Sequence, residues 1–99
     1  MEFRQEKIKK IAHHYGYEEQ REELIAAAAN LISAAQECKK SHAAAFDCFV
    51  DELANIKILI EQLTELIGAD TVNARIDWLL DIMADQVDRE RQAFREAGG

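Results

Sequence analysis

The residues with chemistry in them fall into four groups. Glu18, Glu19 and Glu22 form a Glu-Glu-x-x-Glu set, and Glu61 and Glu65 follow further on. Carboxylates at i, i+3 and i+4 share one helix face, and two such faces opposed make an oxygen-rich cage for a hard cation such as Mg²⁺. Cys38, His42 and Cys48 are spaced C-x3-H-x5-C, which brings zinc to mind. That spacing matches no standard zinc pattern, and a fourth ligand is absent. His13 and His14 beside Tyr15 could meet a phosphate or sugar, although histidine is also favourable at an ordinary helix end. Last, Glu52 and Asn55 interrupt an otherwise apolar stretch, and Asn30 closes a run of four alanines, Ala26 to Ala29.

The elements that must carry these residues are helical. The chain has 99 residues, no proline and four glycines, and nearly half of it is apolar. That length and mixture predict one all-α domain over residues 1–99. Four helices are expected. A short one covers about Phe3 to His14 and stops at Tyr15-Gly16, so residues 1–16 form an N-terminal helix and turn. A second covers about Glu18 to Lys40, with Leu24, Ala28, Leu31 and Ala35 on its buried face. Ser41 and His42 sit in the connection, and a third helix covers Ala43 to Ile67. Its Phe46, Phe49, Leu53, Ile56, Ile60, Leu63 and Ile67 follow a heptad spacing, widened by Val50, Leu59 and Leu66. Gly68 ends it. A fourth starts at Asp70 or Thr71, good N-cap types, and runs to about Arg95. Its apolar face carries Val72, Ile76, Leu79, Leu80, Met83 and Val87, with residues 90–99 a frayed polar tail.

Charge narrows the partners. The net charge is −7 and no basic stripe appears, so duplex nucleic acid is not an expected partner. No apolar run is long enough for a membrane span. The start, MEFRQEKIKK, lacks the apolar core of a signal peptide, so a cytoplasmic location with reduced thiols is expected. Short connections imply antiparallel neighbours, and this much amphipathic helix implies self-association into a homodimer or homotetramer. Trp78 is expected in a core or subunit interface, and Asp81, Asp85, Asp88 and Glu90 on a solvated face.

At IAHHYGYEEQREELIAAAANLISAAQE (Ile11–Glu37) and FVDELANIKILIEQLTELIG (Phe49–Gly68) the chain resembles the MazG-like proteins of the all-α nucleoside triphosphate pyrophosphohydrolase superfamily, especially small phage-type members. The resemblance covers residues 8 to 90, anchored by Tyr15-Gly16, Gln20, Leu31-Ile32 and DELANIKILIEQL (Asp51–Leu63). It implies a four-helix domain with a long central hairpin, assembling as a helical-bundle oligomer. It also implies two facing acidic motifs, Glu-Glu-x-x-Glu and Glu-x-x-Asp, that hold Mg²⁺ against a nucleotide's phosphates. On that pattern the first motif falls at Ala26, Ala27 and Asn30, and the second at Glu52 and Asn55. One carboxylate of five remains. The fourth helix carries Leu79, Ile82 and Gln86 where the family often has Lys and Arg.

The expectation is therefore a non-catalytic nucleotide binder without Mg²⁺, holding or sequestering its ligand as a phage sponge would. Ala26, Ala27, Asn30, Glu52, Asn55 and Leu59 would face that ligand. Glu52 at a solvated edge and Asn55 bonded across the bundle is the alternative reading of that pair. Two other functions stay open. One is a working Mg²⁺-dependent pyrophosphohydrolase with an acidic site reduced to Glu52 or relocated to Glu18, Glu22, Glu61 and Glu65. The other is a helical assembly module with no ligand.

Overall fold

The computed structural model describes residues 3–38 and 43–98. It is all-helical: α1 is Arg4–Cys38, α2 is Ala43–Ile67 and α3 is Ala69–Glu96, with no strand among the described residues. Three helical runs thus stand where four were expected, because the first two expected helices join into α1. Gly16 alone breaks that run, at φ 84° and ψ 172°. That combination is nearly exclusive to glycine. Ser41, His42 and the end of the second expected helix at Lys40 lie outside the described residues.

Gly16 turns the chain back on itself. Four residues separate Cys38 from Ala43, so the later part of α1 and α2 run antiparallel. A straight α1 would then carry Arg4 about 15 Å past the end of α2. Instead Arg4, Lys7, Ile8 and Ile11 share one cleft with Ala54, Lys57, Ile58 and Glu61. Further on, His13 Nε2 lies 3.4 Å from Glu65 Oε1. Ascending numbers meet ascending numbers, so residues 4–15 run alongside α2 in its own direction. The start of this segment is capped locally. The Lys7 N–H donates to the Phe3 carbonyl, and the Phe3 N–H donates to Glu6 Oε2 at 3.3 Å. This is the returning half of a capping box.

The core between α1 and α2 is small-residue and partly polar. Ile8, Ala12, Ala27, Ala34, Leu59 and Leu63 are buried, together with Gln20 and Gln62. Leu24, Ala28, Leu31 and Ala35 are half-buried, flanking Ala27 and Ala34 instead of forming the centre of the face. On α2 the expected heptad seam is largely not the core. Leu63 is buried and Phe49 and Ile56 are half-buried, but Phe46 is 57% exposed and Leu53, Ile60 and Ile67 are exposed as well. The buried positions are Leu59, Gln62 and Leu63, a face centred about 90° around from the expected one. The apolar stripe of α2 is wider than its neighbours cover.

The chain divides into two compact units at Ile67/Gly68. Gly68 has φ 123° and accepts the first α3 hydrogen bond from the Val72 N–H at 3.2 Å. The N-cap is thus Gly68, with no side-chain cap, and not Asp70 or Thr71. No residue of α3 is buried. Residues 90–96, expected to fray, are helical, and i,i+4 pairs brace them: Gln86 with Glu90, Asp85 with Arg89 and Gln92 with Glu96.

Candidate functional site

The positions that the resemblance implies for a site on α1 and α2 stand at matching heights of the antiparallel hairpin. Ala26 is as far before Cys38 as Asn55 is after Ala43, and Asn30 is level with Glu52 to within one residue. Their environments differ. Ala27 is 3% exposed and Leu59 is buried, whereas Ala26, Asn30 and Asn55 are exposed and Glu52 is half-buried. Of the four alanines in the run, Ala27 alone is buried, consistent with close helix packing at that one position. A methyl there allows close approach; a longer side chain would have to displace the neighbouring helix.

The alternative acidic set is already engaged elsewhere. Arg21 donates to Glu18 Oε2 at 3.0 Å and lies 3.5 Å from Glu22 Oε1. The hydrogen bond and charge of Glu18, then the charge of Glu22, push the Arg21 guanidinium above its usual pKa. Glu65 is held by His13, and Glu61 lines the cleft. Among the described residues no three His, Cys, Asp or Glu side chains gather as a metal site would require. Cys38 and Cys48 are free thiols, half-buried and exposed, and His42, the middle residue of that zinc-like set, lies outside the described residues. His14 and Tyr15 pack edge-to-face, with ring centroids 4.8 Å apart, just before the Gly16 turn.

A cleft of about 500 Å³ lies between residues 4–11 and α2. Its apolar wall is Ile8, Ile11, Ala54 and Ile58, and its charged groups are Arg4, Lys7, Lys57 and Glu61. Three of the six Lys and Arg described between residues 3 and 67 therefore converge on one opening. That size and composition suit a small molecule with an anionic end and an apolar or planar body. None of Ala26, Ala27, Asn30, Glu52, Asn55 or Leu59 lines it. At about 100° per residue, Glu52, Asn55 and Leu59 leave α2 about 140° around from the cleft residues.

Sequence reasoning missed this cleft. The local signal was the pairing of Arg4 and Lys7 with Ile8 and Ile11, each at i,i+3, on the first helical segment. Only the fold-back at Gly16 brings that face to Lys57 and Ile58, some 50 residues away. Gln20, an anchor of the family resemblance, is 3% exposed, and its Oε1 has no hydrogen-bond partner among the described residues. No helix among the described residues is long and apolar enough to cross a membrane. No family model, no curated protein and no solved structure matches the chain.

Proposed function

We propose that this chain is a MazG-like nucleotide-binding protein that holds a nucleotide or nucleotide-derived signal without Mg²⁺-dependent hydrolysis, working as a helical-bundle homo-oligomer. The observation that carries the ligand class is the cleft, where Arg4, Lys7 and Lys57 surround a bed of Ile8, Ile11, Ala54 and Ile58. Phosphate oxygens would take the cations, and a base or sugar face would lie on the apolar wall. The absence of turnover rests on the family positions, where Ala26, Ala27, Asn30 and Asn55 leave Glu52 as the one carboxylate. Sequestration, as by a phage protein that removes a host nucleotide signal, fits a binder of this kind.

The test is a retention assay that also reports chemistry. The protein is incubated with NTPs, dNTPs and cyclic or linear signalling nucleotides, with Mg²⁺ and with chelator, then filtered by size and chromatographed. A nucleotide retained intact in chelator is the expected result. Lys7→Glu with Lys57→Glu should weaken retention by about tenfold or more, the effect of losing one to two strong phosphate contacts. Asn30→Ala with Asn55→Ala should leave it nearly unchanged. The reverse pattern would move the ligand to the hairpin face at Asn30, Glu52 and Asn55. Monophosphate and pyrophosphate appearing only with Mg²⁺ would make the protein an enzyme, and no retention at all would leave an assembly module.

A further inference from the structure

Glu61 is the odd group in the cleft, a single carboxylate beside Arg4, Lys7 and Lys57. Lys57 stands four residues before it on α2, yet no ion pair joins the two among the described residues. Lysine ahead of glutamate is the weaker order for such an i,i+4 pair. Lys57 is exposed, whereas Glu61 is half-buried and makes no hydrogen bond among the described residues. A carboxylate that gives up part of its hydration without a partner is poised to take a donor from an occupant of the cleft.

The cleft also has a direction. Its two walls run the same way, so order along the cleft follows order along the chain. Arg4, Lys7 and Lys57 come first, Ile8 and Ile58 next, and Ile11 with Glu61 last. One helical turn separates Lys57 from Glu61, a rise of about 6 Å, and Ile11 stands about 10 Å further along than Arg4. An occupant therefore meets cations, then an apolar bed, then a group that can only accept hydrogen bonds. A nucleotide follows that order with its phosphate first, its sugar and base over the isoleucines and its base edge at Glu61.

We propose, resting on the nucleotide reading above, that Glu61 makes the cleft selective for guanine nucleotides, its two oxygens accepting from the N1–H and N2–H of the base. Guanine sets two N–H donors side by side on its Watson–Crick edge, matching the two oxygens of a carboxylate, and both bonds are charge-assisted. Adenine and cytosine set a ring-nitrogen lone pair beside their amino group, and uracil and thymine flank one N–H with two carbonyls. Each of those edges points an acceptor at the carboxylate, which repels it.

The test titrates five diphosphates into the full chain by calorimetry in chelator: those of guanosine, 2′-deoxyguanosine, inosine, xanthosine and adenosine. The two guanine forms should bind alike. Inosine diphosphate, which lacks the N2 amino group, should bind about tenfold more weakly, and ADP more weakly still. Glu61→Gln exchanges one acceptor oxygen for a donor at nearly constant shape. It should weaken GDP about tenfold or more, leave ADP within about twofold, and strengthen xanthosine diphosphate, whose C2 carbonyl takes the amide N–H. A role for Glu61 in packing alone would not exchange guanine for xanthine. Binding of none of the five would overturn the nucleotide reading and the guanine assignment together. GDP no tighter than ADP, or a Glu61→Gln variant that loses ADP as much as GDP, would overturn the guanine assignment alone. So would a preference for GDP over its 2′-deoxy form, which would put the ribose at Glu61.

Discussion

Ala26 and Ala27 are neighbours in the chain with opposite surroundings, one exposed and one buried against α2. Placing glutamate at each position therefore has different consequences. Ala26→Glu should change stability by no more than about 0.5 kcal/mol, as exposed substitutions usually do. Ala27→Glu puts an unpaired carboxylate and four extra heavy atoms into the helix contact, and should cost about 3 kcal/mol or more. Urea unfolding of the two variants decides the point, and equal midpoints would place Ala27 outside the core. Gln20 offers the opposite case. Its buried Oε1 has no partner among the described residues, a deficit typically worth about 1–3 kcal/mol, and methionine fills a similar volume without it. Gln20→Met should raise the unfolding midpoint. A fall would mean that the amide holds a partner of its own.

At the scale of elements, the cleft depends on one residue. Gly16 takes a backbone conformation that side chains disfavour, yet a Cβ there would meet nothing within 4 Å. The cost of Gly16→Ala is thus conformational and not steric, about 1–3 kcal/mol. It falls on the segment that supplies Arg4, Lys7, Ile8 and Ile11. Gly16→Ala should lower the thermal midpoint and weaken ligand retention together, since an alanine favours continuing the helix straight. The same change at Gly98, beyond the end of α3 and also at positive φ, should do neither. Retention unaffected by Gly16→Ala would separate the cleft from the ligand.

Taken whole, the molecule is acidic, yet the part up to Ile67 concentrates cations at one opening. An anionic ligand therefore feels a diffuse repulsion from the net charge of −7 and a short-range attraction from Arg4, Lys7 and Lys57. Contact distances lie well inside the Debye length of about 10 Å at 0.1 M salt, so attraction should dominate binding. Raising NaCl from about 0.05 to 0.5 M should weaken retention several-fold, whereas replacing Mg²⁺ by chelator should leave it unchanged. Affinity that rises with salt would show that the net charge outweighs the cleft.

Much of the fold was legible from residues alone. Composition without proline dictated helices; Gly16 and Gly68 marked the two breaks; and α2 occupies the span its periodicity assigned, Ala43 to Ile67. That Ala26, Ala27, Asn30 and Asn55 carry no carboxylate where the resemblance would put one is equally a matter of sequence. Periodicity, however, gives the width of an apolar face and not which part a neighbour covers. That is why Leu59 and Gln62 are buried while Phe46 and Ile60 are exposed. The direction taken after Gly16 is likewise a tertiary matter. A glycine permits a turn without aiming it, and contacts between residues 4–11 and 54–61 set the aim. The cleft was invisible in sequence for that reason: its two walls belong to helical segments that only long-range packing brings together.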